Sequence, residues 1–271
     1  FDFDGVICDS VDESTETAFR HALQRWPELR RDLGNSVKPF LQPMRVVRPV
    51  VETGWENTML VRGLADGGVV PKEVAYTDLK IPAYANLKYA VSGDNTPPMW
   101  EKLCKDVLRS WDKVRNKWVD NWGIDYKEMI EEFGTIRDEW IEKDVSSWLR
   151  RNKAYYMVPD CIEAMMAAGA EVFIITTKQR RFCTMLLREF DLEIPDDRIF
   201  ALEDGPKLDV LRELLRRPDL AGRDFHFVED KLGTLRKVAA EPDLSAVNLH
   251  LVTWGYVTVA QVKIVKAGLE E

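Results

Sequence analysis

Two aspartates separated by one residue, Asp2 and Asp4, follow a short apolar stub and run into Gly5. Farther along, polar residues recur just after apolar runs. Thr176 and Thr177 follow Val172–Ile175, Lys207 follows Ile199–Leu202 by a short loop, and Glu229 and Asp230 follow Phe225–Val228. A carboxylate can attack phosphorus and form an aspartyl phosphate. The group it must approach is dianionic, so the approach needs neutralising charge, which a lysine and a magnesium ion can supply. Magnesium prefers oxygen ligands, typically one or two carboxylates with water and substrate phosphate. Asp2 and Asp230 are the candidate carboxylates and Lys207 the candidate lysine. Asp4 is spaced to protonate a leaving oxygen and later to activate water.

These residues need a frame that gathers them. From about Ala154 onward, short apolar runs alternate with helical patterns. The strands expected are Val172–Ile175, Ile199–Leu202, Phe225–Val228 and Asn248–Thr253, and the helices Asp160–Ala168, Arg181–Phe190, Leu208–Arg216 and Lys231–Ala240. Such alternation predicts an α/β fold with a doubly wound parallel sheet, covered by helices on both faces. Ligands bind beyond the carboxyl ends of such strands. The stub at Phe1 joins the same sheet, so four strands deliver polar groups to one edge.

Between about Thr15 and Lys153 the pattern is helical. Met99, Leu103, Val107, Trp111, Val114 and Trp118 recur at steps of three and four, which makes one amphipathic helix behind Pro97 and Pro98. Further helices are expected at Val46–Leu64 and Ile136–Leu149, with a loop-rich stretch from Asp66 to Asn95. Every tryptophan except Trp254 lies in this zone, as expected of helix-packing core. The expected division is therefore a core of residues 1–14 and 154–271 with an all-helical domain of residues 15–153 inserted into it.

The run F-D-F-D-G-V-I-C-D-S at Phe1–Ser10 resembles the first motif of the haloacid dehalogenase superfamily, phosphatase branch. F-I-I-T-T-K at Phe173–Lys178 resembles its second, G-P-K at Gly205–Lys207 its third, and F-V-E-D-K-L-G-T-L at Phe227–Leu235 its fourth. The order agrees, and the likeness covers Phe1–Ser10 and about Ala154–Tyr256. The resemblance implies a Mg2+-dependent phosphatase. It makes Asp2 the nucleophile and a magnesium ligand, and Asp4 the general acid/base with a magnesium-binding carbonyl. Thr176 would bind a phosphoryl oxygen, Lys207 would hold nucleophile and phosphate, and Glu229 and Asp230 would serve the metal. Gly5 and Thr177 would offer backbone amides to the phosphate.

Glu229 stands where the family's fourth motif often has glycine, and Thr234 where it has its last aspartate. The resemblance also gives the helical insert a meaning, as a cap that closes over the site and selects the leaving group. Arg45 and Arg48, with Glu52, are the candidate substrate contacts on that cap. A phosphomutase keeps the same aspartates and would show itself by dependence on a bisphosphate activator. A catalytically silent binding protein is a third reading, which Thr234 favours and the intact Asp2, Asp4, Thr176 and Lys207 oppose.

The totals narrow the field. A net charge of −8 over 271 residues argues against nucleic acid or an anionic membrane as the main partner. A small phosphorylated metabolite, met by a local cation, is the expected partner. No run of about 18 apolar residues predicts a transmembrane helix. Cys8, Cys104, Cys161 and Cys183 show no paired spacing, as in a reducing, cytoplasm-like compartment. His21, His226 and His250 are isolated in sequence from one another and from the cysteines. Only Phe1 precedes Asp2 where a strand of about five residues is the norm, so several apolar residues are expected ahead of Phe1 in the natural protein. An organelle-targeting segment would lie there too.

Overall fold

The computed structural model describes residues 1–67 and 99–268. The loop-rich stretch expected from Asp66 to Asn95, and Pro97 and Pro98, lie almost wholly outside these residues. The chain divides into two compact units, one of Phe1–Ser10 with Ser146–Glu271, the other Val11–Val145.

The chain opens with a tight turn in which the carbonyl of Phe3 accepts from the amides of Val6, Ile7 and Cys8. Strand β1, Cys8–Asp9, follows. The second unit then runs through helices α1 (Val11–Arg25), α2 (Leu29–Leu33), α3 (Lys38–Val47), α4 (Glu56–Asp66), α5 (Met99–Trp122) and α6 (Tyr126–Leu149). The single helix expected over Val46–Leu64 is two. Pro49 cannot donate to a helical ladder, and a 3₁₀ turn at Arg48–Val50 and an extended Val51 divide α3 from α4. Helix α6 begins earlier than expected and is interrupted at Asp144, near its end. Helix α5 is interrupted at Ser110.

The core of this unit gathers Phe19, Phe40, Met44, Met59, Leu60, Val107, Trp111 and Phe133, with Trp26, Trp118 and Trp122 packed against it. Trp111 and Trp118 meet edge-on at 5.9 Å, and Trp118 stacks on Trp122 at 5.1 Å. The tryptophans of α5 are core, as their spacing requires. Two buried charges are held in place: Arg137 grips Glu13 through bonds of 2.7 and 2.8 Å.

The first unit resumes with β2 (Lys153–Ala154), which pairs antiparallel with β1. It continues α7 (Val158–Ala167), β3 (Ile174–Ile175), α8 (Arg180–Glu189), β4 (Ile199–Phe200), α9 (Lys207–Arg216), β5 (Phe225–Glu229), α10 (Leu232–Ala239), β6 (Val247–Leu251) and α11 (Val259–Gly268). The architecture is mixed α/β. β3 pairs parallel with β4, and β5 parallel with β6 in the register Phe225↔Val247 to Glu229↔Leu251. The regular strands β3 and β4 are shorter than their apolar runs, although the amide of Thr176 extends the pairing to Phe200 (2.8 Å).

Phe1 and Asp2 lie between the two parallel pairs. The nitrogen of Phe1 donates to Phe173, the amide of Ile175 donates to Phe1, and the amide of Asp2 donates to Val228, each at 2.8 Å. Apolar faces of α9 (Val210, Leu211, Leu214) and α10 (Leu235, Val238) cover Ile175, Phe227 and Val247. Burying a leucine- or valine-sized side chain is worth roughly 1.5–3 kcal/mol, so this face fixes the helices and the sheet together. Among the described residues no helix is long and apolar enough to cross a membrane. The four cysteines are free, Cys161 exposed and the others buried.

Candidate active site

Asp2 stands where the chain leaves its pairing with Val228 and is 6% exposed. Its Oδ1 accepts from the amide of Phe3 at 2.8 Å, and Lys207 Nζ lies 2.9 Å from the same oxygen. Lys207 is the first residue of α9, and Pro206 ahead of it has the extended backbone that starts the helix there. The ammonium also donates to Glu229 Oε2 at 2.7 Å. One lysine thus ties the end of the first stretch to the end of β5. The two carboxylates hold Lys207 firmly protonated, well above its ordinary range and against its burial.

Glu229 closes β5 and is fully buried. Its Oε1 accepts from the amides of Asp230 and Lys231 at 2.9 and 3.0 Å, while Oε2 receives Lys207. Both oxygens of Glu229 therefore carry donors. Asp230 differs. Its Oδ2 accepts from the amide of Tyr256 at 2.7 Å, but its Oδ1 is buried with no partner among the described residues. A buried carboxylate oxygen with no donor is costly, about 1–3 kcal/mol or more for a charged group, and a cation could satisfy it.

Asp2, Glu229 and Asp230 each offer an oxygen within 4.8 Å of the others. This all-oxygen set suits a hard divalent ion. Burial and the nearby Glu229 charge lift the Asp2 carboxyl to about 7, against the pull of Lys207. A divalent cation against these oxygens would reverse that shift and keep Asp2 ionised.

Gly5 explains how the acids come so close. Its φ is +90°, and a Cβ there would sit 2.1 Å from Asp230 Oδ2. Only glycine accepts both that conformation and that approach. Its amide, expected to serve a phosphate, donates instead to the Cys8 carbonyl at 2.8 Å. The contribution of Gly5 is therefore to shape the turn and admit Asp230. Thr176 is buried at the end of β3, and its Oγ1 accepts from the amide of Lys178 at 3.1 Å. It is not the cap of α8, whose first flanking residue is Gln179. Thr177 is half-buried in the same turn.

Lys178 is the residue that sequence reading passed over. Its side chain is 1% exposed, and Nζ lies 3.1 and 3.3 Å from the two carboxylate oxygens of Asp4. The signal was present, a lysine just after the two threonines at a strand end. A lysine that follows a loop reads as solvated until its burial is known.

The segment after β6 was also missed. Trp254 Nε1 donates to the Val6 carbonyl at 3.0 Å, and the Tyr256 hydroxyl donates to Asp9 Oδ1 at 2.9 Å while accepting from the Ser10 amide at 2.8 Å. Asp9 anchors Tyr256. A Cβ on Gly255 would lie 2.0 Å from the Gly5 carbonyl oxygen.

The structure thus brings together Asp2, Lys207, Glu229 and Asp230, with Gly5 against Asp230, and it pairs Asp4 with Lys178. Arg45 and Arg48 belong to the other unit. Arg45 pairs with Asp12 at 2.8 Å, and Arg48 is buried and donates to the Val51 carbonyl at 3.4 Å. Comparison with protein-family models, with curated proteins and with solved structures gave no match for the chain.

Proposed function

We propose that this chain is a magnesium-dependent phosphate monoester hydrolase of the haloacid dehalogenase type. In this reading it acts on a small phosphorylated metabolite through an aspartyl phosphate on Asp2. The observation that carries the proposal is the setting of Asp2. It is a buried carboxylate with Lys207 at 2.9 Å, clustered with an Asp230 whose Oδ1 has no hydrogen-bond partner among the described residues. The finer architecture that fits is a doubly wound parallel sheet ordered β4, β3, Phe1–Asp2, β5, β6. The bonds from Phe1 and Asp2 to both neighbours support that order. The helical unit Val11–Val145 would then be the inserted cap.

Asp2 and Asp230 would hold the magnesium ion, with Glu229 beside them and the Asp4 carbonyl joining as the resemblance implies. Bound there, the ion would neutralise phosphoryl charge and orient the phosphate for in-line attack. The remaining work falls to the chain. Lys207 fixes Asp2 Oδ1 and adds positive charge where negative charge gathers. An Asp2 oxygen forms a bond to phosphorus as the bond to the leaving oxygen breaks. The leaving oxygen takes that electron pair and a proton from Asp4. Water then attacks phosphorus, Asp4 accepts its proton, and the bond to Asp2 breaks to release phosphate. Thr176, beside Asp2 at the same sheet edge, would receive a phosphoryl oxygen.

The test is phosphate release from a panel of phosphorylated metabolites, with magnesium and with chelator, by the wild type and by Asp2→Asn. Magnesium-dependent release lost in the variant is expected. Release that is equal in the two proteins would refute the proposal.

A further inference from the structure

We infer that Lys178 is a positioning residue for proton transfer, holding Asp4 toward the leaving oxygen; this rests on the phosphatase reading above. Lys178 Nζ approaches both oxygens of Asp4, at 3.1 and 3.3 Å, from a side chain that is 1% exposed. Its backbone is fixed as well. The amide of Lys178 is held by Thr176 Oγ1, and its carbonyl accepts from Leu202 at 3.0 Å. Its ammonium also lies 5.7 Å from the Phe3 ring, between the two aspartates in sequence.

The site therefore contains two lysines with separate charges. Lys207 takes Asp2 and Glu229, whereas Lys178 takes Asp4. Asp4 is the more exposed of the two aspartates, as a group that must meet a leaving oxygen and then water has to be. A carboxylate on a turn keeps several rotamers unless something holds it, and a misplaced general acid loses most of its effect. Contact with both oxygens fixes the direction in which the carboxylate points.

The consequence can be separated from a merely structural role, because only poor leaving groups need the proton. With p-nitrophenyl phosphate the departing phenolate leaves without help, so kcat/KM, which reports transfer to Asp2, does not require Asp4. With a simple alkyl phosphate it does. Lys178→Met keeps the bulk of the stem and removes the charge. It should lower kcat/KM for the alkyl ester by roughly 100-fold, the low end of general-acid effects, and for the nitrophenyl ester by less than about 5-fold. In an Asp4→Asn background the same change should add little, since the two act as one unit.

Lys178→Arg retains a charge in a different shape and should show the same split in smaller measure, which keeps the test intact should the methionine variant fail to fold. Equal losses on both esters, or full additivity with Asp4→Asn, would overturn the role of Lys178 and leave the phosphatase intact. A wild type that turns over neither ester with magnesium would instead refute the underlying reading, and this one with it.

Discussion

Asp2→Asn changes a single atom type and keeps the volume of the side chain, yet an amide cannot attack phosphorus. Turnover should fall by on the order of a thousandfold or more with the melting temperature little changed, as steady-state assays and thermal melts would report. The neighbouring acids divide their work by how their oxygens are used. Asp230→Ala removes the oxygen that has no protein donor, so the magnesium concentration for half activity should rise at least about tenfold, a loss near 1.4 kcal/mol. Glu229→Ala frees Lys207 and two amides, and should harm kcat more than magnesium affinity. A magnesium titration of both variants decides this, and a larger metal defect in Glu229→Ala would reverse the assignment. At the same scale, Gly255→Ala puts a methyl group 2.0 Å from the Gly5 carbonyl and 2.6 Å from Asp230 Cβ. Overpacking of this kind costs about 1–3 kcal/mol, read as a lower melting temperature together with a raised magnesium requirement.

Among the elements, the gathering of Asp2, Lys207, Glu229 and Asp230 was legible because each follows an apolar run, and strand ends are where a parallel sheet presents its groups. Less legible was anything set by pairing across the chain. Lys178 and Tyr256 are ordinary in sequence, and their partners Asp4, Asp9 and Asp230 lie more than 20 residues away. His226 and His250, isolated in sequence, are brought within 2.9 Å on an exposed face by the register of β5 and β6. The split between α3 and α4 was written in Pro49, but the apolar spacing across it concealed the break.

One helix contact carries a pH dependence. His21 of α1 is 1% exposed, with Nδ1 beside Thr58 of α4 at 3.0 Å and Nε2 beside Glu132 of α6 at 2.7 Å. Burial pushes its pKa below the ordinary 6.5, more strongly than Glu132 pulls it up, and Arg25 adds to the lowering. The unfolded imidazole therefore takes up a proton before the folded one does. Stability from this site is complete above about pH 6.5 and is lost as pH falls below it. Melting temperatures between pH 8 and 5 should decline more steeply for the wild type than for His21→Asn; parallel slopes would show that His21 does not titrate differently on folding.

For the whole molecule, the acidic balance and the buried acids make one demand. A chain of net charge −8 buries Asp2, Glu229 and Asp230 together, with Lys207 as the ammonium shared by Asp2 and Glu229, and so gathers acidic groups at the sheet edge. A divalent cation would offset that charge and let a dianionic phosphoryl group approach Asp2. Beryllium trifluoride mimics a phosphoryl group on an aspartate, and fluorine NMR reports whether it is bound. A bound fluorine signal should appear when magnesium is added, disappear with chelator, and be absent in Asp2→Asn. A bound signal that persists without magnesium, or that survives Asp2→Asn, would contradict the claim that Asp2 and a divalent ion together form the phosphoryl site.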